Sequence, residues 1–252
     1  LQGKYGDAES AYIKALNQIK EVLGEEHPQT ISISNNLGLL FENMGLFDQA
    51  EPLYKAALKN AESSLGEEHP TTIALMNNLA SLYESQGVFD RSEPLYNKTI
   101  LLSNHVYGPE HPNTIAGMNN LGYLHLVKKD YVKAEPLFFQ VFEAWKDQLG
   151  ERHQKTLKAM NNLARVYHWQ GKTDKAEAMF ITALDLRKEV LGEKHPDVVR
   201  SQIDFAALLT TQEKFKAAED LLLETVPLAE EVLGEKHQYT FEAINNLATL
   251  YE

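Results

Sequence analysis

Apolar side chains recur at helical spacing along the chain, in pairs of stripes that are separated by a glycine. Residues 28–65 show one such pair, whose members lie three or four positions apart, as on one face of a helix. The first stripe contains Ile33, Leu37, Leu40, Phe41 and Met44, and the second contains Ala50, Leu53, Tyr54, Ala57, Leu58, Ala61 and Leu65. Gly45 lies between the stripes, where helices commonly end in a left-handed residue. The pattern predicts two helices joined by a tight turn, and each helix needs neighbours to bury its stripe.

The same pattern returns with a fixed period of 42 residues, which is marked by one glycine between successive helix pairs. These glycines are Gly24, Gly66, Gly108, Gly150, Gly192 and Gly234. A period between about 20 and 50 residues indicates a repeat architecture. We therefore predict an all-α solenoid that forms a single domain of eleven helices. It consists of an opening half-repeat with a second helix only (1–24), five full repeats (25–66, 67–108, 109–150, 151–192 and 193–234), and a closing half-repeat with a first helix only (235–252).

A turn of the form LGEEHP joins each repeat to the next. In its first copy Leu23 closes a helix, and Gly24 takes a backbone conformation that only glycine adopts cheaply. His27 then lies at the helix cap, and Pro28 occupies the first helical position, where a missing N–H costs nothing. We expect the imidazole to form a hydrogen bond within its own turn. The equivalent histidines are His69, His111, His153, His195 and His237.

Six evenly spaced histidines also suggest a metal site, but the geometry of a repeat argues against one. Equivalent points on neighbouring repeats lie roughly 10 Å apart, the packing distance of helices. Two imidazoles that share a zinc ion each need a nitrogen within about 2.1 Å of it. The sequence therefore predicts structural caps rather than metal ligands.

The composition disfavours several classes of partner. The formal net charge of −12 is unsuited to nucleic acid, which is bound by basic stripes, and an acidic membrane surface would repel the chain. No apolar run approaches the roughly 20 residues that cross a membrane. The chain has no cysteine, which excludes disulfides and thiolate zinc sites and fits a cytoplasmic location.

The sequence also carries no enzyme motif. It contains no phosphate loop, no nucleophile elbow and no His-Glu-x-x-His helix. We expect no catalytic residues, no cofactor and no metal. The chain opens and closes within a repeat, so we expect it to be part of a longer protein.

Several residues of one repeat match the spacing of a tetratricopeptide repeat: Leu37, Gly38, Phe41, Gly45, Phe47, Ala50, Tyr54 and Ala57. The period is 42 here rather than the usual value of about 34. Together with the NNLA, AEPLY and LGEEHP segments, this longer repeat resembles those of kinesin light chains. It is also similar to the C-terminal repeats of bacterial and fungal signal-sensing NTPases.

The resemblance implies a right-handed superhelix of antiparallel helix-turn-helix repeats. First helices would line a concave groove and second helices would form the convex back. In kinesin light chains the groove holds an extended peptide of a cargo adaptor, often with a tryptophan among acidic residues. The face of the first helix that would line the groove comprises, in the first repeat, Ser32, Asn36, Leu39 and Asn43.

A row of asparagines on this face is the first candidate binding site. An asparagine offers both a donor and an acceptor, so a row of them suits the backbone of an extended peptide. Its members are Asn36, Asn78, Asn120, Asn162 and Asn246. The alternative is that they bridge adjacent repeats, a role for which the preceding asparagines are better suited. Those are Asn35, Asn77, Asn119, Asn161 and Asn245.

Three basic residues on the same face of the fourth and fifth repeats are the second candidate. Lys158, Arg165 and Arg200 would favour a peptide that carries carboxylates or a phosphate. Trp169 lies one turn beyond Arg165 and is expected to stack or to form an apolar wall. The alternative is an ordinary solvated face on which Asp204 neutralises Arg200.

Small and aromatic residues occupy the same face in the second and third repeats. Ala74, Ser81, Ala116 and Tyr123 are expected to open a shallow apolar pocket beside the asparagines. Such a pocket would accept a bulky side chain of a peptide.

The fifth repeat departs from the pattern at several positions. Asp204 stands where other repeats have the second asparagine, and Glu213 replaces the glycine between the helices. Pro227 lies deep in a predicted helix, where proline usually produces a bend, so we expect a bend or altered stacking there. In the third repeat His125 replaces an aromatic residue and is expected to be a partly buried packing residue.

These observations predict a non-enzymatic module that binds an extended acidic peptide or adaptor segment of another protein. An alternative is the sensor or scaffold domain of a signalling NTPase, which would receive a folded partner. End-to-end self-association is a further alternative, because terminal repeats present an uncovered edge.

Overall fold

The computed structural model describes residues 2–251, and their side chains from Tyr5 onward. Within that range the chain forms twelve helices and no strand. The first helices of the repeats are α2 (Pro28–Asn43), α4 (Pro70–Ser85), α6 (Pro112–Val127), α8 (Gln154–Trp169), α10 (Pro196–Thr211) and α12 (Gln238–Leu250). The second helices are α1 (Gln2–Leu23), α3 (Phe47–Leu65), α5 (Phe89–Tyr107), α7 (Tyr131–Leu149), α9 (Thr173–Leu191) and α11 (Phe215–Leu233). The all-α repeat fold of the solenoid type is confirmed.

The helices follow the period of the sequence. Every full repeat contains a first helix of 16 residues and a second helix of 19 residues. The expected count of eleven helices is wrong for the described residues, because five full repeats supply ten helices and each half-repeat adds one.

The predicted stripes form the core. Leu37 and Phe41 of α2 and Tyr54 and Ala61 of α3 are buried, and Ile33 is partly buried against the same cluster. Helices α3, α9 and α11 each pack against the first helix of their own repeat and against that of the next, as α3 does with α2 and α4. Neighbouring first helices also pack together, as do α8 with α10 and α10 with α12. Burial of each stripe therefore depends on the adjacent repeat, as the sequence indicates.

The chain divides into two compact units. Unit 1 extends to Leu124 and unit 2 begins at His125, so the division falls within α6. A single continuous right-handed array across both units stays a prediction.

The histidines cap the first helices, as expected. Nδ1 of His27 accepts a hydrogen bond of 3.2 Å from the backbone N–H of Gln29, two residues further on. The same bond, between 3.1 and 3.2 Å, is formed by His69, His111, His153, His195 and His237. Each imidazole thereby satisfies one backbone donor that the helix itself leaves without an acceptor.

The turn between the two helices of a repeat requires a left-handed residue. Gly45 has a φ of +73°, as predicted, and the same position in the third and fifth repeats is occupied by Lys129 and Glu213, with φ of +58° and +59°. The backbone of these two residues is therefore in the left-handed region, which costs residues other than glycine about 1 kcal/mol or more.

Pro227 does not end its helix. Helix α11 has the same 19 residues as the other second helices and packs against both α10 and α12. A bend at Pro227 stays a prediction. His125, with 3% of its surface exposed, is a buried packing residue.

Candidate functional site

The outward face of the first helices lies where the sequence places it. All four positions of the first repeat, including Asn36 and Leu39, are exposed, and so are Ala74, Tyr123 and Lys158. Other positions of the face are half-buried: Asn78, Asn120, Asn162, Asn246, Arg165 and Arg200. Asp204 is buried, with 7% of its surface exposed. One position of the predicted binding face is therefore part of the packed interior.

The asparagines form hydrogen bonds between repeats. The amide nitrogen of Asn78 donates to Oδ1 of Asn35 over 2.8 Å, and that of Asn120 donates to Oδ1 of Asn77 over 3.1 Å. The second asparagine of one repeat thus contacts the first asparagine of the preceding repeat. The bridging role expected for the first asparagines is confirmed in these two pairs, and the second asparagines share it. A contact between the row and a peptide backbone stays a prediction.

The fifth repeat keeps this bridge but reverses its direction. Asp204 occupies the place of the second asparagine, and the amide nitrogen of Asn161 donates to its Oδ2 over 2.7 Å. A carboxylate only accepts hydrogen bonds, so the asparagine must be the donor here. The partners are 43 residues apart in all three pairs, an offset that the hydrogen bonds reveal and that the 42-residue period alone does not.

Asp204 also contacts two of the three basic residues, Arg165 and Arg200. Arg200 donates to both of its carboxylate oxygens, over 3.0 and 3.1 Å, and to Glu242 over 3.0 Å. Arg165 lies 3.5 Å from the same aspartate. Burial by itself would lower the pKa of the Arg200 guanidinium. The carboxylates of Asp204 and Glu242 outweigh this effect and raise the pKa above its ordinary value. Lys158 is exposed and forms no ion pair within the described part of the chain. The three basic residues thus share one face, and two of them already contact carboxylates.

A buried arginine that sequence reasoning missed supports this cluster from beneath. Arg187 of α9 is 3% exposed and donates to the backbone oxygen of Leu157 over 3.1 Å and to Oγ of Ser201. Ser201 donates to Oδ1 of Asn161, which is itself bonded to Asp204. Burial lowers the pKa of Arg187. The charged face of unit 2 therefore lies on a polar network that joins α8, α9, α10 and α12.

Trp169 is an exposed aromatic surface beside this face. Its ring stacks on that of His168, with centroids 4.8 Å apart, and lies parallel to that of Tyr131 at 6.3 Å. Because 53% of its surface remains exposed, the indole also has room for a further contact. Both ring partners belong to unit 2 itself, and stacking of the indole on a ligand stays a prediction.

Unit 1 contains a cleft at the predicted pocket. Helices α4, α5 and α6 enclose about 140 Å³, and the lining includes Ala74, Ala116 and Asn78. Ser81 and Tyr123, which were also expected there, are not part of the lining. The remaining lining residues are Pro70, Ile73, Asn77, Thr99, Ser103 and Asn113. Ser103 is fully buried, and within the described residues its hydroxyl has no hydrogen-bond partner. The cleft thus combines an apolar body with several amide and hydroxyl groups.

The described part of the chain lacks the side-chain geometry of a metal site. Between residues 2 and 251, no three His, Asp or Glu side chains come together as metal ligands would. No helix in that range is both long and apolar enough to span a bilayer.

Sequence comparison gives a consistent match along the chain. The sequence model of the tetratricopeptide repeat matches it in overlapping stretches, at residues 1–63, 30–100, 71–147, 115–168 and 155–231. No curated protein sequence matches the chain.

Solved structures give the same fold. A protein of Podospora anserina, described as a kinesin light chain with nearly identical TPR-like repeats, superposes with a TM-score of 0.71 at 21% identity, covering 82% of this chain and 98% of the other. BtubC (BKLC) from P. vanneervenii gives 0.74 at 21% identity, with 90% and 91% covered. The apo form of RapI gives 0.69 at 15% identity, with 98% and 94% covered. At such identities the likeness is one of fold.

Proposed function

Because the chain belongs to the tetratricopeptide repeat family, we propose that it holds an extended segment of a partner protein on the outward face of its first helices. Members of this family are generally protein-interaction scaffolds rather than enzymes. The proposal extends that role to a peptide ligand, in the manner of the kinesin light chain repeats that this fold resembles. The cytoplasmic location expected from the sequence also stays a prediction.

The cleft of unit 1 is the observation that carries the proposal. Its volume of about 140 Å³ suits one bulky side chain, and its apolar walls, Ala74 and Ala116, lie on two neighbouring first helices. Asn78 lines the same cleft and offers an amide beside the path that a peptide backbone would take. The buried hydroxyl of Ser103 has no partner in the described chain, and a ligand with a polar atom would satisfy it.

The preference for an acidic peptide is a separate part of the proposal. Lys158 supports it directly, because this exposed ammonium group has no carboxylate partner within residues 2–251. Arg165 and Arg200 support it less, since a ligand carboxylate would compete with Asp204. Lys158 and Arg165 are therefore the residues of this face that a ligand carboxylate would reach first.

The test is a screen of displayed peptides against the wild type and against Ala74→Trp, followed by titration of the enriched peptides. Ala74 is exposed, so the indole would fill the cleft without a change in the core. Ala56→Trp is the matched control, because Ala56 is an exposed alanine on a second helix of the same unit. We expect Ala74→Trp to weaken binding about tenfold or more and the control to leave it unchanged.

A double variant, Lys158→Ala with Arg165→Ala, tests the charge preference. It should weaken the binding only of peptides that carry carboxylates, and the loss of affinity should be smaller at high salt. If both tryptophan variants bind the enriched peptides equally well, the cleft is not the site. If no peptide enriches, the module recognises a folded surface instead, as the sensor or scaffold alternative predicts.

End-to-end self-association stays a prediction. Light scattering over a concentration series distinguishes a constant mass, expected for a monomeric peptide receptor, from a mass that rises with concentration.

A further inference from the structure

The cleft of unit 1 has a counterpart in unit 2 that one of the chain's own side chains fills. Ser103 is fully buried in the lining of the cleft, and the residue at the same place two repeats further along is Arg187. Arg187 is 3% exposed and bridges α8 and α10, which correspond to α4 and α6 beside the cleft. In the intervening repeat this place is taken by the buried Trp145. The small side chain of Ser103 therefore leaves a space open, and the contacts of Arg187 indicate what that space accepts.

The hydrogen bonds of Arg187 identify groups that face this space. Its guanidinium donates to the backbone oxygen of Leu157 over 3.1 Å and to that of Asp197 over 3.0 Å. The residues at the same two places in unit 1 are Ile73 and Asn113, and both line the cleft. Because structural repeats share their backbone geometry, we expect the carbonyl oxygens of Ile73 and Asn113 to accept from an occupant in the same way. An occupant of the cleft therefore needs two N–H donors.

The charges around this space differ between the two units. Burial lowers the pKa of Arg187, and the carboxylates of Asp197 and Asp204 oppose that effect. In unit 1 their places are held by Asn113 and Asn120, and none of the residues that line the cleft is charged. A guanidinium or a carboxylate that enters an uncharged cleft loses its hydration and gains no ion pair in return. The cleft therefore favours a neutral side chain.

The hydroxyl of Ser103 adds a third requirement. It is fully buried and has no hydrogen-bond partner within the described residues, so it needs an acceptor on the occupant. A hydroxyl or an indole supplies a single donor, and an apolar side chain supplies none. A carboxamide is the neutral side chain that offers two N–H donors on one nitrogen together with an acceptor oxygen.

We propose that the cleft of unit 1 binds a glutamine side chain of the partner segment. The amide nitrogen of this glutamine donates to the backbone oxygens of Ile73 and Asn113, and its amide oxygen accepts from the hydroxyl of Ser103. Its methylene groups lie between Ala74 and Ala116, the apolar walls of the cleft. This inference rests on the proposed function, in which the cleft receives one side chain of an extended peptide, and it specifies that side chain.

The test starts from a peptide of the displayed library whose binding is weakened by Ala74→Trp. Alanine substitution at each position of the peptide identifies the residue on which its affinity depends most, and we expect this residue to be glutamine. Fluorescein-labelled versions with glutamate, leucine or arginine at that position are then compared with the original by fluorescence anisotropy. Glutamate keeps the shape of glutamine but adds a charge, and leucine has no polar group. Each replacement should reduce the affinity about tenfold or more.

Two protein variants locate the contact. Ser103→Ala should fold, because the chain itself has Ala61 and Ala229 at this place of the repeat, and circular dichroism with a cooperative urea transition verifies it. This variant should bind the glutamine peptide about fivefold more weakly and the leucine version with unchanged affinity. Asn113→Asp supplies the carboxylate that unit 2 has beside Arg187, so it should improve the binding of the arginine version relative to the glutamine peptide. Asn97→Asp is the control, since Asn97 is exposed on α5 and does not line the cleft.

The outcomes separate this inference from the proposed function. If the decisive residue of the peptide is aromatic or aliphatic and Ser103→Ala leaves its binding unchanged, the glutamine proposal is overturned, while the cleft still receives a side chain. Equal affinities of the glutamine, glutamate and leucine versions overturn it as well. An arginine version that gains as much from Asn97→Asp as from Asn113→Asp contradicts the equivalence with Arg187. If Ala74→Trp weakens no enriched peptide, the cleft is not a binding site and both proposals fail.

Discussion

The side-chain amide of Asn161 donates a hydrogen bond of 2.7 Å to Oδ2 of Asp204, 43 residues further along the chain. In unit 1 the same two repeat positions are joined by Asn78 and Asn35. The replacement of an asparagine by an aspartate keeps the bridge and adds a buried negative charge. The carboxylate of Asp204 accepts two of the three hydrogen bonds of the Arg200 guanidinium, and the third goes to Glu242. Asp204 therefore lowers the positive charge that this face presents.

Asp204→Asn should destabilise the protein, because it removes the charge that Arg200 contacts in a nearly buried position. Charge-assisted hydrogen bonds of this kind contribute about 1.5–3 kcal/mol, so we expect the free energy of unfolding to fall by about 2 kcal/mol. Urea denaturation measures it. Asp185→Asn is the control, since Asp185 is an exposed carboxylate of the same unit without an ion pair, and it should change stability by less than about 0.5 kcal/mol. Equal effects of the two substitutions would contradict the role of Asp204.

Glu213→Gly should stabilise the protein. Glu213 holds a φ of +59°, which costs most residues about 1 kcal/mol and glycine almost nothing. The midpoint of thermal unfolding should therefore rise, and Lys129→Gly should act in the same direction. The opposite change, Gly87→Ala, places a side chain at a φ of +74° with no atom within 4 Å of its Cβ. The destabilisation that we expect for it is therefore due to the backbone conformation and not to a steric clash. A Glu213→Gly variant that unfolds at a lower temperature would show that the glutamate makes a compensating contact.

Gly38→Ala should destabilise unit 1 for a steric reason. A Cβ on Gly38 would lie 2.8 Å from Cε1 of Tyr54, and this ring is fully buried. Overpacking of this kind costs about 1–3 kcal/mol. Gly6→Ala, in the open environment of α1, should instead stabilise the helix by about 0.5–1 kcal/mol. Chemical denaturation of the two variants separates the helix propensity of alanine from the clash.

His69→Ala should lower the free energy of unfolding by about 1 kcal/mol, because the backbone N–H of Thr71 loses its acceptor. His69→Asn keeps a side-chain acceptor at the cap and should remain within a few tenths of a kcal/mol of the wild type, on the order seen for good caps. The comparison is made by thermal unfolding. If the asparagine variant loses as much stability as the alanine variant, the imidazole contributes through another contact.

The stability of the protein should fall as the pH is lowered below about 6.5, the ordinary pKa of a histidine. Burial lowers the pKa of His168 in the folded state, where its Nε2 lies 3.1 Å from Oγ1 of Thr211, and nearby Asp204 only partly offsets this effect. The unfolded chain therefore binds a proton at a higher pH than the folded chain does. The stability that neutral His168 contributes is fully present above the pKa that this histidine has in the unfolded chain. It is lost as the pH falls towards the lower pKa of His168 in the folded chain. The slope of unfolding free energy against pH between about 5 and 7 should be smaller in His168→Asn than in the wild type; an unchanged slope would contradict the prediction.

Much of this protein follows from the sequence alone. The positions of the helices, their ends and their buried stripes depend on local signals that recur every 42 residues, such as Gly45 with its positive φ and His27 at its cap. A cap or a turn involves residues within one or two helical turns of each other, so its chemistry is visible in the chain. The repetition itself then implies that neighbours pack in the same way.

The tertiary structure decided which side chains meet between repeats. The carboxylate of Asp204 reaches Asn161, Arg165, Arg200 and, through them, a buried network that includes Arg187, and these partners come from three different helices. Asp204 was expected on an exposed face, and its burial depends on how closely α8 and α10 pack. The unsatisfied hydroxyl of Ser103 and the volume of the cleft likewise depend on the gap between helices. Distances of a few ångströms between residues about 40 positions apart are determined by packing, which a pattern of residue types does not encode.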